Sequence, residues 1–234
     1  MLAWFDSVKA DFVFNLIDGE RYKMLVSGLG TTLTVAFFAA IFGVLMGCIV
    51  ALMRLSNARI GKWHFLRSIA SIYVDVIRGT PVVVQLMIMY YVIMASYQGE
   101  RIVVAIIAFA INSGAYVSEM VRGGILSVDK GQTEAGRSLG LSSGSTLLLI
   151  VMPQALKNIL PSLFNEFIML LKETSVCGFI GVMDLTKAGD YIRSRTYSAF
   201  FPLLTVAAVY LVIVIGLTRV LNVVERSVRK SDQH

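Results

Sequence analysis

Apolar residues fill this chain in long blocks. Spanning the hydrocarbon core of a bilayer takes about 20 predominantly apolar residues in a helix. Five stretches reach that length: residues 24–53, 68–94, 101–120, 156–183 and 199–222. Polar residues inside the blocks recur at helical spacing, because positions four and seven apart return to one face. Ser162, Glu166 and Glu173 form one such stripe, with Asn165 and Lys172 on the next. Asn112, Tyr116 and Glu119 form another, and Ser27, Thr31 and Thr34 a third. The longest hydrophilic run, residues 121–147, separates the third and fourth blocks. Its Glu, Ala, Arg and Leu content favours one or two short helices, interrupted at Gly131, Gly136, Gly140 and Gly144. No repeat, low-complexity tract or long linker divides the chain. The pattern predicts an all-α polytopic membrane protein of five helices: an N-terminal external segment, 1–23, and a transmembrane domain, 24–234.

Composition agrees, with 56% hydrophobic and only 15% charged residues, outside the globular norm. The net charge of +6 could point to nucleic acid, so its placement matters. With the N-terminus outside, the inside segments carry twelve basic residues, among them Arg54, Arg59, Lys62, Arg67, Arg122 and Arg137, and the outside segments seven. Positive charge collects on the cytoplasmic side of membrane proteins, which orients the chain N-out, C-in and removes nucleic acid as the reason for the charge. The first 23 residues hold Asp6, Asp11, Asp18 and Glu20. They lack the basic start and apolar core of a cleavable signal peptide, so the segment is expected to be kept. Cys48 and Cys177 sit in apolar spans, where a thiol acts as a small hydrophobe. His64 falls in a basic inner loop and His234 is the last residue.

Candidate chemistry comes from the polar groups inside the spans. A carboxylate at a helix centre costs about 2.5–3.5 kcal/mol on insertion scales, so Glu166 should face protein or a water-filled cavity. Asn112 and Glu166 are the principal candidates for a substrate site, with Tyr116, Thr32 and Gln85 beside them. A buried carboxylate suits an ammonium group. The Ser and Thr residues have another use, as hydrogen-bonded glue between helices. Glu119 and Glu173 lie near span ends within reach of Arg122 and Lys172, and Asp75 and Arg78 are spaced to pair. Pro81, after Gly79, should bend the second span. No nucleophile–base pair or metal-ligand cluster marks an enzyme. The GLSSGST run lacks the Lys and the strand of a phosphate-binding loop.

The long inside segment contains Glu134, Ala135 and Gly136, then Gly140, then Ile150 and Pro153. This order resembles the cytoplasmic EAA loop of ABC-importer permeases, E-A-A, three residues, Gly, nine residues, I-x-L-P. Gly136 replaces the second Ala and Met152 the Leu. The runs SGLGTTLT at 27–34, RGTP at 78–81 with Gln85, INSGAY at 111–116 and PQALKNILPSLFNEFIMLLKETS at 153–175 resemble the polar amino acid branch of that family, in the family's order. The resemblance implies the type I importer permease fold in a bacterial cytoplasmic membrane. It implies a coupling loop over about 121–153, in which Glu134, Ala135, Gly136, Gly140 and Pro153 dock a separate ATPase. It further implies two ATPase subunits that hold ATP and Mg, a second permease chain, an extracytoplasmic solute-binding protein and an amino-acid ligand, with no cofactor in this chain. The polar stripes alone leave a different class open, an ATP-independent channel or secondary transporter, which has no need of such a loop.

Overall fold

The computed structural model describes residues 2–55 and 65–230. Arg59, Lys62, His64 and His234 lie outside the described residues. Among the described residues every regular element is helical. The helices are α1 (Leu2–Phe12), α2 (Tyr22–Leu55), α3 (Phe65–Arg78), α4 (Val82–Ile88), α5 (Arg101–Leu126), α6 (Lys130–Ser138), α7 (Ser143–Thr146), α8 (Met152–Glu173), α9 (Leu185–Thr196) and α10 (Phe200–Lys230). One-turn π segments extend α1 over Val13–Ile17 and α4 over Met89–Ile93, and another joins α7 to α8 over Leu147–Val151.

Four stretches are long and apolar enough to cross a membrane: Tyr22–Leu55, Arg101–Leu126, Ser143–Ile180 and Phe200–Val223. The fifth is broken. Phe65–Arg78 and Val82–Ile93 meet the test only as a pair bent by 108°, and the break falls at Gly79–Pro81 as the proline predicts, because Pro cannot donate the helical N–H. With 34 residues, α2 is about 51 Å long at 1.5 Å per residue. That exceeds a hydrocarbon core of about 30 Å, so its ends reach beyond it.

The chain divides into two compact units. The first comprises Met1–Ala39, Val82–Phe109 and Met169–Leu217, the second Ala40–Pro81, Ala110–Ile168 and Thr218–His234.

The first unit is centred on Leu16, Leu25, Leu185, Ala188, Ile192 and Val206. Here α9 is seated on α2. The Asp184 side chain caps α9 by accepting from Thr186 N and Lys187 N at 3.0 and 3.2 Å. Thr32 Oγ1 accepts from Leu185 N at 3.1 Å. Gly28 lets the backbones meet, since a Cβ there would lie 2.7 Å from the Asp184 carbonyl oxygen. The N-terminal segment takes part in this packing: Leu16 is buried in the core, and fully buried Asn15 donates to Ser198 Oγ at 3.2 Å.

The second unit packs Ala51, Val117, Val121, Ala155 and Ile159 in one cluster and Val50, Ala70, Val74 and Ala115 in another. Small residues set the distance between α2 and α5. A Cβ on Gly43 would meet Ser113 Cβ at 2.9 Å, and one on Gly47 would meet Val117 Cγ1 at 2.5 Å. Small residues four apart on one helix permit this approach in membranes, where burial from water supplies no drive between helices.

Candidate functional site

The second unit brings polar side chains together in two groups. Glu166 on α8 is buried, 6% exposed, and Ser113 Oγ on α5 donates to its Oε1 at 3.0 Å. Asn112, the next residue along α5, is also buried. Tyr73 Oη donates to the Ile111 carbonyl at 2.5 Å, fixing α3 to the same turn of α5. The carboxylate therefore faces protein, as its cost in hydrocarbon requires. Ser113 escaped the stripe argument because it stands one position off the Asn112–Tyr116–Glu119 face. The available signal was Gly43, whose missing side chain makes room for the Ser113 hydroxymethyl group.

Glu119 is the centre of the other group. Arg54 from the end of α2 pairs with its Oε1, and Arg122 Nη2 pairs with its Oε2 at 2.7 Å. Arg78 Nη1 at the end of α3 lies 3.9 Å from Oε1. The expected pairing of Glu119 with Arg122 is present, but Arg78 departs from the expected partnership with Asp75. Its guanidinium lies over the Tyr116 ring, 5.4 Å from the centroid, and faces the Glu119 carboxylate. Three guanidiniums on one carboxylate leave an excess of positive charge beside Tyr116. Spacing along a single helix cannot show this, because the partners come from three helices.

Thr32 and Gln85 belong to the first unit. Thr32 is fully buried and its hydroxyl accepts the Leu185 N–H, so its visible role is to seat α9. Gln85 is half-buried on α4. Beneath α9, burial pushes the Asp184 carboxyl above the usual carboxylate range, and hydrogen bonds from Thr186 and Lys187 offset part of that rise.

The inside segment folds as the two short helices α6 and α7. Asp129 caps α6, accepting from Gly131 N at 2.7 Å. Of the four expected interruptions only Gly140 is one. Gly131 and Gly136 lie inside α6 and Gly144 inside α7, because caps at Asp129 and Ser142 and packing at Gly136 outweigh glycine's weak helix propensity. At Gly140 φ is +85°, the Gly140 N–H donates to Arg137 O at 3.1 Å and the Leu141 N–H to Gly136 O at 3.1 Å. This is the Schellman ending of a helix, which calls for a left-handed residue at that position. Nothing lies within 4 Å of a Cβ built there, so the backbone angle, not crowding, selects glycine.

Gly136 is buried, and a Cβ on it would meet Ile150 Cδ1 and Thr146 Cγ2, both at 2.8 Å. The two halves of the motif are thus in contact. Gln154 Nε2 adds a bond to Gln132 Oε1 at 3.2 Å. Glu134, Ala135, Leu139, Gly140 and Pro153 are exposed, Leu139 to 83%. Among the described residues Glu134 carries no ion pair. The loop therefore presents a carboxylate, a small residue and a bare leucine on a helix whose other side is fixed to the bundle.

Known proteins share this architecture. Residues 43–230 match the model of the binding-protein-dependent transport system inner membrane component family. The arginine transport system permease protein ArtQ of Bacillus subtilis is 37% identical over 91% of this chain and 95% of its own. The glutamine transport system permease protein GlnP of Escherichia coli is 35% identical over 88% and 93%. A crystal structure of an amino acid ABC transporter with histidines superposes with a TM-score of 0.83 at 41% identity, covering 90% of this chain and 97% of that one. The inward-facing MetNI methionine ABC transporter, at 21% identity and a TM-score of 0.75, shares the fold. The chain belongs to the binding-protein-dependent family, the multi-pass inner-membrane permease subunits of bacterial ABC importers.

Proposed function

We propose that this permease carries polar α-amino acids, with Glu166 and Asn112 at the centre of its intramembrane site and Tyr116 beside them. The supporting observation is the buried Glu166 carboxylate held by Ser113 at 3.0 Å. Arginine, glutamine and cystine, named for the transporters of similar chains, share an α-ammonium group, which an intramembrane carboxylate can pair with. Gln85 and Thr32 act more weakly, Thr32 through the position of α9. Transport is driven from outside this chain. Two ATPase subunits hold ATP and Mg and engage Glu134, Ala135, Gly136, Gly140 and Pro153, a second permease chain completes the pathway, and an extracytoplasmic binding protein delivers the ligand.

Uptake into proteoliposomes containing the assembled importer tests the reading. Glu166→Gln is expected to reduce uptake of labelled amino acid at least about tenfold while the complex stays assembled, the loss of one charge-assisted contact. Glu134→Lys should instead release the ATPase during purification. Unchanged uptake by the Glu166→Gln importer would remove the carboxylate from the site.

A further inference from the structure

The first unit contains a cavity that none of these roles uses. It has a volume of about 610 Å³ and is lined by Thr31, Gln98, Glu100, Arg101, Gly181 and Met183, among others. That volume lies within the range of small-molecule sites. Residues 98–101 belong to the connection that the charge bias assigns to the outside, before the start of α5.

The wall of this cavity carries both signs of charge on adjacent residues. Among the described residues neither Glu100 nor Arg101 takes part in an ion pair. The Arg101 guanidinium lies over the Tyr90 ring, 5.7 Å from the centroid, which orients it without neutralising it. Gly181, at φ +76°, gives it room, because a Cβ there would overlap Arg101 Nη1. A guanidinium offers a carboxylate two parallel donors. Thr31, whose hydroxyl donates to the Ser27 carbonyl at 3.3 Å, adds an acceptor, Gln98 adds a neutral donor and acceptor, and Met183 an apolar wall.

We infer that this cavity is an outer reception site for the zwitterionic head group of an α-amino acid, with Arg101 taking the α-carboxylate and Glu100 the α-ammonium. The inference rests on the amino-acid reading above and adds a second site, in the other unit from Glu166. Because it reads the part common to all α-amino acids, it accepts ligands that differ in side chain. Selection by side chain then falls to other contacts.

The test is equilibrium binding of radiolabelled L-arginine and L-glutamine to the permease–ATPase complex in nanodiscs, with no binding protein present. The wild type is expected to show saturable binding, part of which survives Glu166→Gln. Arg101→Gln and Glu100→Gln should each weaken that surviving part by about tenfold, the effect of a lost charge-assisted contact. Arg101→Lys, which keeps the charge without the paired donors, should restore it in part. Competition by the C-amide derivative, which lacks the carboxylate assigned to Arg101, should fail at this site alone, whereas the N-acetyl derivative should fail at both sites. Co-purification with the ATPase shows that each variant is assembled.

Binding by Arg101→Gln equal to wild type in the Glu166→Gln background would overturn the outer site and leave the intramembrane reading intact. So would normal binding combined with lost stimulation of ATPase activity by the binding protein, since the cavity would then receive a side chain of that partner. Absence of any binding to the wild type would also overturn the outer site, with uptake by the full importer still able to support the amino-acid reading. Binding insensitive to Glu166→Gln but lost in Arg101→Gln would support the outer site and remove Glu166.

Discussion

At position 136 the chain carries Gly where the EAA pattern has Ala, and the structure supplies the reason. The residue is buried inside α6, and a methyl group would press on Ile150 Cδ1 and Thr146 Cγ2 at 2.8 Å. Both neighbours must shift: Ile150 Cδ1 is the far end of a flexible side chain and can move, Thr146 is β-branched and fully buried and yields less readily, while Ala favours a helix over Gly by about 0.8–1 kcal/mol. Those effects oppose each other. Gly136→Ala is therefore expected to leave uptake within about twofold of wild type, while Gly136→Leu, with three more carbons in a filled space, should displace α6 and abolish coupling. Uptake and ATPase co-purification measured together decide it, and full activity of Gly136→Leu would show that α6 does not depend on this contact. The sequence displayed the substitution but not its cause, because the contact closes across fourteen residues. At Gly140 it displayed more: the need for glycine was legible, and only the structure shows that φ and not space creates it.

Among the helices, the ends of α2 and α3 and the inner part of α5 are tied by one carboxylate. Glu119 is 20% exposed and Arg54 14%, against 34% for Arg122 and 45% for Arg78. Breaking a buried pair by removing one partner costs about 3–5 kcal/mol, and exposed pairs are worth about 0–1 kcal/mol. Glu119 stands between these limits, and its loss leaves three guanidiniums facing one another. Glu119→Gln should destabilise the protein by about 1–3 kcal/mol on those grounds. Arg54→Gln should cost more than Arg122→Gln, following their exposures. Cys48 and Cys177, half-buried and buried, are built-in reporters, because a thiol-reactive fluorophore reaches them as the bundle opens. Equal melting temperatures for all three variants and wild type would show that the cluster contributes nothing to holding these ends together. The sequence identified the i,i+3 pair of Glu119 and Arg122, since both lie on one helix. Arg54 reads from the sequence only as an inside charge and Arg78 only as a residue spaced to pair with Asp75, because their meeting at Glu119 depends on how α2, α3 and α5 pack. The bend at Pro81 was readable for the opposite reason: it is a local backbone property.

For the whole molecule, the excess of basic residues in the loops sets a direction through the membrane, and that direction can be measured. Two exposed positions serve as reporters: Leu139, 83% exposed after α6, and Tyr197, 97% exposed between α9 and α10. Both native cysteines lie within spans, so the unmodified chain is the blank. In intact spheroplasts, Tyr197→Cys should react with a membrane-impermeant maleimide and Leu139→Cys should not. In inside-out vesicles stripped of the ATPase the pattern should reverse. The opposite result would place α6 outside, away from ATP, and no ATPase could dock there. The orientation is therefore coupled to the proposed function: the twelve inside charges favour the cytoplasmic face for the same loop whose carboxylate and bare leucine are proposed to meet the ATPase. A channel or secondary transporter would tolerate either direction, whereas an importer driven by ATP works in only one.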